Sequence, residues 1–417
     1  MLGWIDQTSL SAVSLAGQVQ FVLSLFISGI AAGAGIMAAQ YWGKQDAASI
    51  EKVIPIALRT NLLFSGLFTI LAGFCPEILM RIFTNDAALV ASGSQYLRAV
   101  ALSYVLCGIS QVYLILLKNT GHAAVSSRIS STAVVLNIIL NAILIYGLCG
   151  APALGIRGAA YATVAARVVE LIWAYLETKK PERVRILWNR LFSSAGKILS
   201  EDFWRYTLPV LAASLVWGIA YVLYSVIMGH MGSDAVAANS ITSIAKSLLS
   251  CLIRGVSGGA GVLIGNLLGA DELEKAREYG GRLTHLAIAI GVVTGGLLML
   301  ISPAIVHFAP LTDTAAEYLQ YMLLFCGLNL MAQSVNTTVL DGIFCAGGDA
   351  KFDMQGNIGA MWCFSVPLGF LAAFWLKLPV MVVYCIVNLD EIVKLPAVYL
   401  HYKKYVWVRN ITRDIEE

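Results

Sequence analysis

The feature that most constrains this chain is a series of apolar stretches, many of them longer than the ~20 residues that a helix needs to cross a bilayer. The residues are 58% apolar and only 13% charged, and the mean hydropathy is +0.76. A soluble domain is about 45–50% apolar and about 25% charged. The 28 basic and 25 acidic side chains could hardly cover the surface of a soluble protein of 417 residues. The sequence therefore predicts an all-α, polytopic membrane protein.

Charge, cysteine and motif content weigh against other classes. A net charge of +3, with no basic stripe carrying interleaved aromatics, argues against a nucleic-acid partner. The eight cysteines lie mostly in apolar stretches and form no CxxC pair, so we predict small buried hydrophobes and no disulfide or metal site. There is no Walker loop and no HExxH motif. We expect a protein that is not an enzyme and has no cofactor beyond a coupling ion.

Eleven spans are predicted from the apolar stretches, with proline and glycine tolerated inside them. The predicted spans are 11–41, 53–79, 96–118, 129–148, 158–177, 205–228, 237–268, 281–308, 318–345, 354–376 and 380–402.

Basic residues set the orientation of such spans. Alternate loops place nineteen Lys and Arg residues on one side and four on the other, which are Arg81, Arg98, Arg157 and Lys377. We therefore expect the first side, which includes the C-terminus, to be cytoplasmic. With eleven spans, Met1 would lie outside.

An internal repeat appears when the chain is aligned with itself at an offset of 226 residues. Five of the six glycines in the first 43 positions then coincide with glycines of the second half, and Gly121 coincides with Gly347. The halves have equal orientation, as expected for parallel repeats about an axis along the membrane normal, an arrangement found in transporters.

The repeat also predicts a domain organisation. The span 205–228 has its counterpart before residue 1, so we expect two six-helix lobes of which the first lacks its first helix. The predicted domains are an N-lobe of five spans (1–178), a basic cytoplasmic linker (179–204), a C-lobe of six spans (205–402) and a cytoplasmic tail (403–417). Restoring the helix would give twelve spans and a cytoplasmic N-terminus.

Four motifs resemble those of the MATE (multidrug and toxic compound extrusion) transporters. They are the stretch 1–21 with GIAAGAGIMAAQYWGK (29–44), GHMGSDAVAANSI (229–241), AGGDAKF (346–352) and NLDEIVKLP (388–396). The resemblance covers essentially the whole chain. It implies a twelve-helix fold and the export of organic, often cationic, compounds in exchange for protons or sodium ions by alternating access.

The chain departs from the family pattern where ion coupling usually resides. The acid of the family's first helix would precede Met1. Ser214 stands where similar relatives carry glutamate, and Cys345 stands where arginine is common. These departures leave the ion coupling, and activity itself, open.

Charged residues inside spans are functional candidates, because a charge is costly in a bilayer. Asp341 has no basic residue three or four positions away. Buried and unpaired, it could carry a proton or coordinate a cation, whereas at the water interface it would merely be solvated. Glu391 is the second coupling candidate. It is spaced i, i+3 from Lys394, with Asp390 at i, i+4, so a structural ion pair is the alternative.

Candidates for the substrate cavity are polar and aromatic. Trp217 and Tyr221 share a helical face and could hold an organic cation by cation–π attraction, although helix packing is the alternative. Ser214 is a further candidate. Asn137 and Asn141 could line the cavity or hydrogen-bond between helices.

Two basic residues, Lys246 and Arg254, share a span that contains no acid. We expect them to face a water-filled cavity or an acid of another helix, where they could repel cationic substrates.

These features predict an exporter of drugs or cationic metabolites that is driven by a proton or sodium gradient. We expect a small-molecule substrate, a lipid bilayer and no nucleic acid as partners, and a monomer in a bacterial cell membrane. Two alternatives remain: a flippase for lipid-linked precursors from the same superfamily, with a cationic central cavity, and an inactive truncated product.

Overall fold

Helices make up most of the described chain, and no strand occurs in it. The computed structural model describes residues 7–186, 191, 196–309 and 311–414. The α-helices are α1 Gln7–Gly43, α2 Ala47–Phe74, α3 Pro76–Arg81, α4 Ala87–Val100, α5 Leu102–Leu117, α6 Ala123–Tyr146, α7 Gly155–Thr178, α8 Lys197–Gly229, α9 Ser233–Gly269, α10 Leu273–Phe308, α11 Asp313–Thr337, α12 Ala350–Asn357, α13 Val366–Phe370, α14 Val380–Val387 and α15 Asp390–Tyr402. The π-helical segments are Lys118–His122, Thr338–Phe344, Ile358–Ser365 and Leu371–Trp375.

By length and composition, nine helical runs in the described chain could cross a membrane. One run, Leu102–Tyr146, overlaps two of the predicted spans, 96–118 and 129–148, and the chain turns between them at Gly121, which has a φ of 79°. The predicted span 380–402 does not appear among the nine, because it is broken after Val387 into the short helices α14 and α15. The predicted all-α membrane fold is confirmed, whereas the last span is interrupted rather than continuous.

The outer surface of the helices is apolar. Phe74, Leu300 and Trp375 are 81%, 78% and 84% exposed. Exposed apolar side chains in such number would be unfavourable in water but are stable against lipid chains. The exposure therefore agrees with a membrane environment.

The repeat is visible in the positions where helices begin. Helix α2 begins at Ala47 and α10 begins at Leu273, which keeps the offset of 226, as do the starts of α4 and α11. The predicted match between Gly121 and Gly347 is displaced by one residue in the structure. The left-handed glycines there are Gly121 and Gly348 (φ 73°), rather than Gly121 and Gly347.

The first unit comprises the described residues of Met1–Ala38 and Asp46–Leu211. Its core contains fully or almost fully buried side chains from four helices, namely Leu23, Leu97, Tyr104 and Ala160. Gly33 of α1 lies so close to Thr207 that a Cβ at that position would overlap it.

The second unit comprises Ala39–Gln45 and the described residues of Ala212–Glu417. Its core joins Ile253, Leu298, Leu323 and Tyr384, which come from α9, α10, α11 and α14. The division between the units therefore falls within α8 and also separates the last turn of α1 from the rest of that helix.

Within the second unit, the ends of α1 and α9 cross backbone against backbone. A Cβ on Gly43 would overlap the Asn266 carbonyl, and a Cβ on Gly269 would overlap the Gln40 carbonyl. The offset of 226 relates these two contacts to each other. Small residues at such crossings allow helix backbones to approach closely.

Residues 403–414 form an irregular C-terminal strap in the second unit. The Trp407 side chain is fully buried, and its ring lies against Gly280 of α10. Gln40 Nε2 donates to the carbonyl oxygens of Ala346 (2.7 Å) and Arg409 (3.3 Å), while Gln40 Oε1 accepts from the Ile411 N–H at 2.8 Å. One fully buried amide thus joins the strap to the end of α1.

The outer part of the strap is held by charged groups. Arg409 donates to the carbonyls of Gly347 and Gly348 at 2.9 and 2.8 Å. Lys44 Nζ donates to the Asp414 carboxylate at 2.6 Å, and this hydrogen bond lowers the pKa of Asp414.

The predicted linker 179–204 is described only in part, because 187–190 and 192–195 lie outside the described residues. Helix α8 begins at Lys197, so its first turns occupy the end of the predicted linker.

All eight cysteines are free thiols in the described chain. The prediction that they are buried holds for Cys326 and Cys345, whereas Cys149, Cys251 and Cys363 are exposed. Cys251 and Cys363 lie in apolar helical segments, where hydrophobicity of the sequence does not imply burial, and Cys149 lies in the turn 148–150 between α6 and α7.

Candidate functional site

Three helical elements of the second unit bring acidic residues together. Asp341 lies in the π-helical segment Thr338–Phe344, Asp353 lies on α12, and Asp390 and Glu391 begin α15. The interruption between α14 and α15 places these last two acids in a first helical turn, where the exposed N–H groups favour negative charge. Single π-helical turns recur at functional sites because they re-aim side chains.

Lys394 is the buried centre of this group, with a side chain only 5% exposed. Its Nζ lies 3.1 Å from Glu391 Oε1 and 3.7 Å from Asp390 Oδ2. The ammonium also donates to Asn357 Oδ1 at 3.2 Å, and Asn357 Nδ2 donates to Asp353 Oδ1 at 3.1 Å. The ion pair predicted from the i, i+3 and i, i+4 spacing is present, and Asn357 extends it to a second helix.

Asn336 of α11 joins the group from a third side. Its Nδ2 donates to the Glu391 carbonyl at 2.6 Å and to Glu391 Oε2 at 2.8 Å. Asn336 is 1% exposed, and its Oδ1 has no hydrogen-bond partner in the described chain. One acceptor oxygen beside the carboxylate is therefore unused.

Asp341 differs from the other acids because its side chain is exposed. It has no salt-bridge partner among the described residues, and the charges acting on it are Arg254, Lys394 and Glu391. A role of Asp341 in ion coupling was predicted for a buried side chain, and that role stays a prediction. Glu391, by contrast, is paired and buried.

Lys246 on α9 is tied to the interruption between α14 and α15. Its Nζ donates to Asn329 Oδ1 at 3.0 Å, and Asn329 Nδ2 donates to the Asn388 carbonyl at 2.6 Å. This chain of hydrogen bonds satisfies a carbonyl that the broken helix leaves without an intrahelical partner.

The aromatic candidates on α8 have different surroundings. Trp217 and Tyr221 stack with ring centroids 5.5 Å apart and planes inclined by 16°, and Ser214 lies one turn before Trp217. Trp217 also packs against a core cluster that contains the nearly buried Tyr224, as expected for the alternative of helix packing. The Arg254 guanidinium lies 5.6 Å from the centre of the Trp217 ring, so the chain supplies its own cation to this aromatic pair.

Asn137 and Asn141 lie on α6 in the first unit. Asn141 Nδ2 donates to Asn137 Oδ1 at 3.0 Å, and Asn137 Nδ2 donates to Thr163 of α7 at 3.3 Å. Their contacts therefore join two helices. Whether they also face substrate stays a prediction.

Asp353, Asn336 and Asn357 were absent from the sequence-based candidates. Asp353 was missed because the predicted span began at 354, whereas α12 begins at Ala350. The i, i+4 spacing of Asp353 and Asn357 is the signal that could have identified this pair. Asn336 has no comparable signal, because its partner lies 55 residues away.

The expectation that the chain has no G-x-S-x-G motif is wrong, because GVSGG (255–259) has this spacing of a hydrolase nucleophile. That motif requires a sharp turn from strand to helix. Here it lies inside α9, and Ser257 donates to the Thr337 carbonyl at 2.8 Å, so its hydroxyl serves helix packing. No group of three His, Cys, Asp or Glu residues within the described ranges is arranged to hold a metal ion.

Solved structures share this fold. A MOP superfamily transporter from Pyrococcus furiosus Vc1, described as having a binding pocket of reverse polarity that suggests a different function, matches with a TM-score of 0.87. Its sequence identity is 20%, and the match covers 97% of this chain and 89% of that one. An outward-facing multidrug resistance MATE family transporter matches with a TM-score of 0.85, 20% identity and the same coverages.

Sequence relatives cover most of the chain as well. The uncharacterized transporter YisQ of Bacillus subtilis is 20% identical over 98% of this chain and 90% of its own length. The probable multidrug resistance protein NorM of Agrobacterium fabrum is 24% identical over 90% of this chain and 81% of its own length.

A family model decides the assignment. The MatE model matches residues 1–143 and 209–371, which together are well over half of the chain. The matched ranges include α9, α11 and the acids Asp341 and Asp353. The chain therefore belongs to the MatE family and is a multi-pass membrane transporter.

Proposed function

We propose that this transporter exports organic compounds, drugs or metabolites, across a bacterial cell membrane in exchange for protons or sodium ions. Export proceeds by alternating access, and the protein acts as a monomer with its C-terminus in the cytoplasm. The names of the NorM relatives, which are called probable multidrug resistance proteins, support the drug class of substrate. The nineteen-to-four distribution of basic residues supports the orientation.

The observation that carries the proposal is Asp341. It is an exposed carboxylate within a helical run that is long and apolar enough to span the membrane, and no described basic residue pairs with it. A charge in this position is unfavourable unless it serves transport. Asp341 lacks the ion pair and the hydrogen bond by which Lys394 and Asn336 hold the buried Glu391. We therefore assign ion exchange to Asp341 and a supporting role to Glu391.

Dye efflux from a host that lacks its own exporters tests this proposal. We expect Asp341→Asn to reduce efflux to the level of an empty vector at equal expression, because an amide neither ionises nor exchanges a proton. Glu274→Gln is the matched control, since Glu274 is 86% exposed at the start of α10. Unchanged efflux by the Asp341 variant would exclude it as the coupling residue. Absence of dye efflux by the native protein would argue against drug export.

A second candidate function is the transport of anionic compounds, including lipid-linked precursors. Arg254 is exposed beside Trp217, and Lys246 lies two turns earlier on the same helix. A guanidinium over the ring repels an incoming cation from the same region, whereas an anionic group would be attracted to it.

A further inference from the structure

Lys394 occupies a pocket formed by oxygen atoms. Its ammonium faces Glu391 Oε1, Asn357 Oδ1 and Asp390 Oδ2 at 3.1, 3.2 and 3.7 Å, and these oxygens come from both α12 and α15. Asp353 is connected to the pocket through Asn357. All of these side chains are buried. Carboxylate and amide oxygens in this arrangement are the ligands that hard cations such as Na⁺ prefer.

A second buried amide, that of Asn336, also contacts Glu391. Asn336 Oδ1 is a buried acceptor without a partner, and its amide group is held beside Glu391 by two hydrogen bonds from Nδ2. A buried oxygen without a partner is unusual in a folded protein. Both bonds come from Nδ2, so Asn336 presents its N–H groups to Glu391 and stabilises this carboxylate beside Lys394.

We infer that the Lys394 ammonium is a tethered cation that fills a monovalent cation site and excludes Na⁺ from it. The inference deepens the proposed ion coupling and rests on it, because it leaves protons as the ions that this part of the protein can exchange. Lys394 is then the residue that determines ion specificity.

Occupancy of the pocket, rather than net charge, supports the exclusion, because one ammonium offsets only one of the three acids that face it. The groups that face Lys394 are Asp390 and Glu391 on its own helix and Asp353 on α12, and Asp341 and Lys246 act on the same acids from the π-helical segment and from α9. With Lys394 in place, its positive charge offsets one carboxylate. A group attached to the backbone also has a high effective concentration at its site, so dissolved Na⁺ competes poorly with it.

Removal of the lysine should therefore create a sodium site. Without its ammonium, the acids carry an uncompensated buried charge, which is unfavourable until a cation enters. Lys394→Met keeps an unbranched apolar side chain while removing the charge. If Lys394 has only a structural role, the same variant is destabilised but does not respond to Na⁺.

The experiment compares thermal unfolding of the purified full-length protein in sodium chloride and in choline chloride at equal ionic strength. For Lys394→Met, we expect Na⁺ to raise the unfolding temperature by about 2–4 °C once it exceeds its Kd about five-fold. We also expect the variant to bind radioactive ²²Na⁺. The native protein and Lys394→Arg, which keeps the charge, should show neither effect.

The double variant Glu391→Gln with Lys394→Met is the matched control. It removes one acid with the lysine and should lose the response to Na⁺. A folded Lys394→Met protein that is indifferent to Na⁺ would overturn the inference. So would ²²Na⁺ binding by the native protein that Glu391→Gln abolishes, a result that is independent of whether the lysine variant folds. These measurements do not depend on transport, so a negative result can be distinguished from a failure of the proposed efflux function.

Discussion

Trp407 and Gly280 provide the sharpest test of how the C-terminal strap is held. A Cβ built on Gly280 would lie 2.6 Å from Trp407 Cη2, 3.1 Å from Trp407 Cζ2 and 3.2 Å from the Tyr402 hydroxyl. The tryptophan has no exposed surface and cannot easily move aside. We therefore expect Gly280→Ala to destabilise the fold, and we expect the size of this destabilisation to depend on the Trp407 ring.

The magnitude follows from the cost of overpacking, which is about 1–3 kcal/mol for an added methylene-sized group. At about 2–4 °C per kcal/mol for a domain of 150–250 residues, a value of ~2 kcal/mol lowers the unfolding temperature by about 4–8 °C. Trp407→Phe removes the part of the ring that Gly280 faces. The substitution should lower the free energy of unfolding by ~2 kcal/mol, because less apolar surface is buried. It breaks no hydrogen bond within the described chain, because Trp407 Nε1 has no partner there.

A double-mutant cycle measured by thermal unfolding in detergent separates the two effects. In the Trp407→Phe background, Gly280→Ala should be neutral or stabilising by up to ~1 kcal/mol, the helix preference of alanine over glycine. Gly281→Ala is the matched control, because nothing lies within 4 Å of a Cβ there. It should behave alike in both backgrounds.

One result would refute the reasoning about the strap. If Gly280→Ala lowers the unfolding temperature equally with tryptophan and with phenylalanine at position 407, the ring is not what Gly280 accommodates. The proposed packing of Trp407 against α10 would then be wrong.

Two further predictions concern the strap and the α9 cations. Gln40→Ala should lower the unfolding temperature and speed proteolysis of the C-terminus, because a buried group without a partner costs about 1–3 kcal/mol; Gln18→Ala, at an exposed position on α1, should change neither. Arg254→Gln should weaken binding of an anionic aromatic probe by about ten-fold, because the probe loses a hydrogen bond to a charged group that is worth ~1.5 kcal/mol. Binding of a neutral probe should be unaffected. Lys275→Gln, at an exposed position on α10, is its control, and equal binding by both variants would argue against an anionic substrate at Arg254.

The apolar stretches were enough to predict most of the helices, because a chain in lipid must satisfy its backbone within each helix. They did not predict the break after Val387 or the start of α12 at Ala350. The repeat offset of 226 predicted the register of the two halves, and α2 and α10 begin at positions that obey it. The pair of Glu391 and Lys394 was also readable, since it depends only on the helical period. Interactions within one helix are fixed by sequence spacing.

Contacts between helices could not be predicted from the sequence spacing. The link from Asp353 through Asn357 to Lys394, the position of Arg254 over Trp217, and the burial of Trp407 against Gly280 each join separate elements. The π-helical segments change the helical phase, so the direction of Asp341 could not be derived from a regular period of 3.6 residues. The sequence by itself determined the helices and their charges, whereas the tertiary structure decided which charges meet, because only packing between helices sets those distances.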